Sequence, residues 1–207
     1  MGEKEAPTKK QSKKGQDATF VPQRSRVQLL AVLGLSTAII FVVTRFLGIP
    51  VPHGWLNLGD SAIAASTLLM MHPLVAVAAG VGSALSNITS PAIIFAPATL
   101  LIKGTMGFVM YYFAKKGKFN LYAVGIFLAE TIMVVGYTVY IFSLLTAGAL
   151  PSDGYPAAIA AASTLPANLF QAAANFALAL LLYYPLVRLR QALWGSPAMQ
   201  TADTAKD

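Results

Sequence analysis

VQLLAVLGLSTAIIFVVTRFL, residues 27–47, decides the fold. The run carries a single charge, Arg45, contains no proline, and ends at Gly48-Ile49-Pro50. About 20 predominantly apolar residues in a helix match the ~30 Å hydrocarbon core of a bilayer. Further apolar runs follow at 57–71, 74–89, 93–114, 120–147 and 166–188, separated by Pro and Gly punctuation. An alanine-rich stretch, 157–164, reads as a short or re-entrant helix. The runs at 57–71 and 74–89 are short for a full crossing and have to be bundled or broken.

Composition agrees. The 207 residues are 56% hydrophobic and 11% charged, with mean hydropathy +0.63. A soluble domain carries about 25% charged residues. The expected fold is an all-α integral membrane protein, a six-transmembrane-helix bundle over 27–190. A disordered basic tail, 1–26, precedes it and a polar tail, 191–207, follows. Thirteen of the fifteen lysines and arginines fall in residues 1–26, in the 115–118 turn and from Arg188 onward. By the positive-inside rule these lie on one side, so both termini are expected in the cytoplasm.

Catalytic signatures are absent from the sequence. Gly117-Lys118 is followed by Phe119, so there is no phosphate-binding loop, and neither H-E-x-x-H nor G-x-S-x-G occurs. With no cysteine, thiol chemistry and cysteine-ligated metals are excluded, and with only His53 and His72 a histidine metal cluster is not expected. We expect no enzyme, no cofactor and no nucleic-acid partner. Asn87-Ile88-Thr89 matches a glycosylation acceptor by chance. No two-fold repeat of the kind common in secondary carriers is visible.

Four ionisable residues sit inside the runs: Arg45, Asp60, Lys103 and Glu130. Buried charges in a membrane normally face the interior and pair. Counting at 1.5 Å per residue puts Lys103 and Glu130 at similar depth near the midplane, and Arg45 and Asp60 together near the outer surface. The pairs are either packing bridges or the border of a polar cavity. Asn168, Gln171 and Asn175 share one helical face, as do Glu130, Tyr137 and Tyr140. Asn57 and Asp60 open the second run, with His53 and Trp55 in the loop before it. These groups converge in the outer half of the bundle, where amides and rings suit a small polar heterocycle; interhelical hydrogen bonding and an interfacial tyrosine belt are the packing alternatives.

From Trp55-Leu56-Asn57-Leu58-Gly59-Asp60 onward the sequence resembles the S components of energy-coupling factor (ECF) transporters, nearest the branch for hydroxymethylpyrimidine and other vitamin precursors. Gly80-Val81-Gly82-Ser83-Ala84, Ala96-Pro97, Ile102-Lys103-Gly104, Glu130 with Gly136-Tyr137, and Leu165-Pro166-Ala167-Asn168 with Gln171 continue the resemblance in order. It implies a six-helix fold with an outward pocket under the loop between the first two helices. It also implies a vitamin or precursor as ligand, a membrane T subunit and two cytoplasmic ATPases as partners, and a prokaryotic plasma membrane as the location. Many S components dock through Ala-x-x-x-Ala on the first helix. Here Ala31 is followed by Leu35, and Gly34-x-x-x-Ala38 is the nearest equivalent. The expected ligand-lining residues are Asn57, Lys103, Glu130, Tyr137, Tyr140, Asn168, Gln171 and Asn175. Arg45, His53, Trp55 and Asp60 are expected to hold the gate loop. Lys103 either neutralises Glu130 or meets an anionic ligand group. The rival reading is a stand-alone ion- or proton-coupled carrier.

Overall fold

The computed structural model describes residues 25–51 and 54–194, with 50–51 and 54–55 described by their backbone only. Residues 1–24 of the expected 1–26 tail, His53, and residues 195–207 of the expected 191–207 tail lie outside the described residues, while Arg26 and residues 191–194 are helical. Seven α-helices are present in that range: α1 (Arg26–Phe46), α2 (Gly59–Met70), α3 (Val75–Ile88), α4 (Ala96–Ala114), α5 (Phe119–Thr146), α6 (Ala157–Ala162) and α7 (Leu165–Trp194). A 3-10 turn, Ile93–Phe95, leads into α4. Strands β1 (Gly48–Val51) and β2 (Gly54–Asn57) pair antiparallel, Gly48 opposite Asn57. This hairpin replaces the loop expected over 48–55.

Local chemistry fixes the ends. Ser25 and Gln28 form a reciprocal capping box, with the Gln28 amide donating to Ser25 Oγ at 3.2 Å and the Ser25 amide donating to Gln28 Oε1 at 3.0 Å. α2 stops at Met71, whose φ of 44° is left-handed, just before His72-Pro73. Pro166 sits in the first turn of α7, where its missing N–H costs nothing.

Four helical segments are long and apolar enough to cross a membrane: Arg26–Phe46, Ile93–Ala114, Phe119–Thr146 and Ala157–Trp194. α2 and α3, at 12 and 14 residues, are not. α2 instead runs through the middle of the bundle, with ten of its twelve residues buried. Small and apolar side chains on all its faces permit this. The main core joins Ile40 of α1, Ile63 and Leu68 of α2, Ala78 and Ala79 of α3, Met106 and Met110 of α4, Ile126 and Met133 of α5, and Tyr183 of α7. Outward faces are the reverse of a soluble protein's: Leu101 of α4 is 72% exposed and Leu181 of α7 is 74% exposed. Only a hydrocarbon surrounding makes such faces favourable.

Glycines set how closely the helices meet. A Cβ at Gly80 would stand 2.6 Å from the Leu100 carbonyl oxygen of α4, and one at Gly82 would stand 2.7 Å from the Thr37 carbonyl oxygen of α1. α3 is thus clamped between α1 and α4 backbone to backbone. α7 continues through Pro185 to Trp194, past the expected end at 188. Arg190, fully buried, explains the extension: its Nη1 donates to the Leu68 carbonyl near the end of α2 at 3.2 Å. A cation there also complements the C-terminal end of the α2 dipole.

Candidate functional site

The end of β2 enters the bundle: Asn57 is 7% exposed and Asp60, in the first turn of α2, is 1% exposed. Asn57 Oδ1 accepts from the Gly59 amide at 2.8 Å, closing the tight turn into α2. No side chain fits at Gly59, because a Cβ would lie 2.2 Å from Thr44 Oγ1 of α1.

α7 grips this submerged turn with two amides. Gln171 Oε1 accepts from the Asn57 amide at 2.9 Å, and Gln171 Nε2 donates to Asp60 Oδ2 at 3.2 Å. Asn175 uses all of its hydrogen-bonding capacity. Its Oδ1 accepts from the Ser61 amide at 2.9 Å and from Ser61 Oγ at 2.7 Å, and its Nδ2 donates to the Asn57 and Gln171 carbonyls, both at 2.9 Å. A completely satisfied amide of this kind is a staple.

The ion pair differs from the expectation. Lys103 Nζ lies 2.5 Å from Asp60 Oδ1, both side chains being almost wholly buried. Lys103 is therefore paired with Asp60 rather than Glu130, and Asp60 with Lys103 rather than Arg45. Counting along helices matched heights, but it took the start of α2 to be at the surface. The descent of β2 brings Asp60 down to Lys103 instead. Arg45 Nε donates to the Thr89 carbonyl at 3.3 Å, joining α1 to the end of α3.

Above the pair is a cavity of about 50 Å³. Asn57, Lys103, Tyr137, Asn168 and Gln171 line it, together with Thr44, Ser83, Asn87 and Thr99. Phe95, Met133 and Ile141 supply apolar wall. Lys103 Nζ stands 5.5 Å from the centre of the Tyr137 ring. The Tyr137 hydroxyl is 2.8 Å from Thr99 Oγ1, which accepts from Asn87 Nδ2 at 2.6 Å. Ser83 Oγ is buried with no hydrogen-bond partner among the described residues. Asn168 is only lightly held, its Nδ2 donating to Thr164 Oγ1 at 3.4 Å.

Three expected lining residues stand elsewhere. Asn175 lies behind the wall in its staple. Tyr140 donates to the Ile94 carbonyl at 2.7 Å and meets Phe95 edge-on, with ring centres 5.9 Å apart, so it supports the Phe95 wall from outside. Glu130 is not among the residues lining this cavity; it lines the groove between α5 and α7. Trp55 is in β2 by its backbone. Ala31, Gly34 and Ala38 are exposed on α1, and a Cβ at Gly34 would meet nothing within 4 Å.

Sequence reasoning missed Thr44, Ser83, Asn87 and Thr99. Single hydroxyls and one amide in apolar helices bond readily to the preceding turn, as Thr37 does to the Leu33 carbonyl. Ser83 and Asn87 stand four apart on α3, and Thr99 stands four before Lys103 on α4, so the helical period was the available signal. Ser83 also lies inside the glycine-rich stretch that carries the family resemblance.

Residues 24–188 match a family model described as "ECF-type riboflavin transporter, S component". A Pyrococcus woesei protein, described as an uncharacterized protein in the gap 3' region, is 33% identical over 118 residues, covering 55% of this chain and 78% of the relative. A solved structure reported as "Structure and mechanism of the S component of a bacterial ECF transporter" aligns with a TM-score of 0.62 at 18% identity, covering 80% of this chain and 98% of the other. At that identity the likeness is one of fold.

Proposed function

The chain belongs to the family of ECF-type riboflavin transporter S components, and from that premise we propose that it captures a small, uncharged heterocyclic vitamin or vitamin precursor for an ATP-driven importer. S components are membrane transport subunits, not enzymes, and they work with T and ATPase subunits. For this chain the proposed partners are one T subunit and two cytoplasmic ATPases in a prokaryotic plasma membrane. The hairpin end is proposed to face outward and both termini inward, in keeping with the basic residues. The expected count of six crossings belongs to the same proposal, with α2 and α3 as short inner segments.

One observation carries the ligand class. The charge that the cavity presents is matched at once: Lys103 is paired with Asp60, whose second oxygen is held by Gln171. What is left facing the space is neutral, from Asn57, Asn168, Asn87, Thr99, Tyr137 and Ser83. Such a wall recognises ring nitrogens, carbonyls and hydroxyls, and offers no surplus cation to a phosphate. Phe95 and Met133 give a ring its apolar faces. A cavity of about 150 Å³ holds benzene, so ligand entry must displace side chains from the present space of about 50 Å³.

The family description names riboflavin, which is the first ligand to test; hydroxymethylpyrimidine and pyridoxine represent the single-ring alternative. Mass spectrometry of the purified protein, followed by calorimetric titration with all three, is expected to yield one saturable ligand at one site. Riboflavin 5'-phosphate is expected to bind at least tenfold more weakly than riboflavin if riboflavin is that ligand. No saturable binding of any heterocycle would refute the reading. Uptake by cells lacking T and ATPase subunits, driven by a proton gradient, would favour the stand-alone carrier instead.

A further inference from the structure

We propose that the groove between α5 and α7 is a second binding site, for a membrane-partitioned amphiphile that carries a hydrogen-bond donor. The groove has a volume of about 450 Å³, within the range of small-molecule sites. Phe127, Val134 and Val135 form its α5 side, and Leu169, Ala172 and Phe176 its α7 side. It opens on the apolar flank, where Phe127 is 62% exposed and Leu169 is 57% exposed. A ligand reaching it travels through the bilayer and needs an apolar body.

Glu130 provides the specific contact. It lines this groove, is 4% exposed, and neither carboxyl oxygen has a hydrogen-bond partner among the described residues. Lys103, the cation expected to neutralise it, acts on it only through space, because its hydrogen bond goes to Asp60. The one neighbouring hydroxyl in the lining, Thr131, is turned back to the Phe127 carbonyl at 2.9 Å. A buried carboxyl left in hydrocarbon without a donor is costly, and such groups mark functional sites. A hydroxyl or an ammonium on the ligand would satisfy it, while Ala172 and Ala173 leave room for the chain alongside.

The test uses the full chain in nanodiscs of phosphatidylcholine alone, with a diazirine-bearing dodecanol as photoprobe and peptide mass spectrometry as readout. Saturable labelling of the α5 and α7 peptides is expected, with competition by dodecylamine, dodecanol or both, and none by methyl laurate, which lacks a donor. Competition by one of the two identifies ammonium or hydroxyl as the donor. Ala172→Trp fills the groove and is expected to cut labelling at least tenfold; Ala173→Leu serves if that variant does not fold. Glu130→Gln is expected to weaken dodecylamine competition at least tenfold, and dodecanol competition less. Non-saturable labelling, labelling unchanged by the filling variants, or equal competition by methyl laurate would overturn the site and leave ordinary annular lipid. Vitamin titration in the same nanodiscs is a separate readout, so failure here is distinguishable from failure of the importer reading.

Discussion

Lys103 and Asp60 balance each other deep in the bundle, and removing either alone leaves an uncompensated charge. Lys103→Met is expected to cost about 3–5 kcal/mol of stability, the usual penalty for breaking a buried pair. The double variant Asp60→Asn, Lys103→Met removes both charges and is expected to recover most of that loss. Reversible unfolding in mixed micelles measures both. Unchanged stability in Lys103→Met with an altered ligand preference would show that the lysine serves the ligand rather than the pair. The amides of α7 divide in the same way. Asn175→Ala strands the Ser61 amide and hydroxyl and the Asn57 carbonyl, each worth about 1–3 kcal/mol when buried and unmet. It is expected to unfold the β2–α2 turn. Asn168→Ala loses one long bond and is expected to change stability by about 1 kcal/mol or less, while lowering ligand affinity. Thermal melts beside ligand titrations separate the two roles.

Between elements, the contacts that matter are close approaches of backbone. Gly59 meets Thr44 so tightly that Gly59→Ala forces α1 and α2 apart. The expected cost is about 1–3 kcal/mol, as for other overpacked sites. Thr44→Ala in the same chain removes the nearest atom, Oγ1, and is expected to restore part of the loss, read as a shift in the melting midpoint. No such rescue is available at Gly82, where the obstacle is the Thr37 carbonyl. α2 is held by α7 at both ends, through Gln171 and Asn175 near its start and Arg190 near its finish. These two helices therefore behave as one packed unit. Gly80 and Gly82 stand in the stretch that carries the family resemblance, and the structure gives each a specific backbone contact. Gly34, with open space around it, differs from them only in its surroundings.

For the whole molecule, sidedness is the property on which the import assignment depends. The native chain has no cysteine, so single-cysteine variants report accessibility without background. Asp153→Cys, in the loop between α5 and α6, is expected to react with an impermeant maleimide in intact cells. Lys118→Cys, in the turn between α4 and α5, is expected to react only after permeabilisation. The reverse pattern would place the cavity toward the cytoplasm and end the import reading.

The long spans were legible because length and apolarity are properties of a continuous run. Arg26–Phe46, charged only at its two ends by Arg26 and Arg45, needs no partner to be identified as a span. The convergence of Asn57, Gln171 and Asn168 was legible because a helical period places residues on a face. Charge partners were not, because a count along a helix gives height and says nothing about direction around the axis. Glu130 and Lys103 were matched in depth, yet Lys103 bonds Asp60 and Glu130 has no hydrogen-bond partner among the described residues. The hairpin, the burial of α2 and the pairing of Asp60 with Lys103 depend on one event, the descent of β2 into the bundle. That descent is stabilised by amides more than a hundred residues away in sequence, so only tertiary structure decides it.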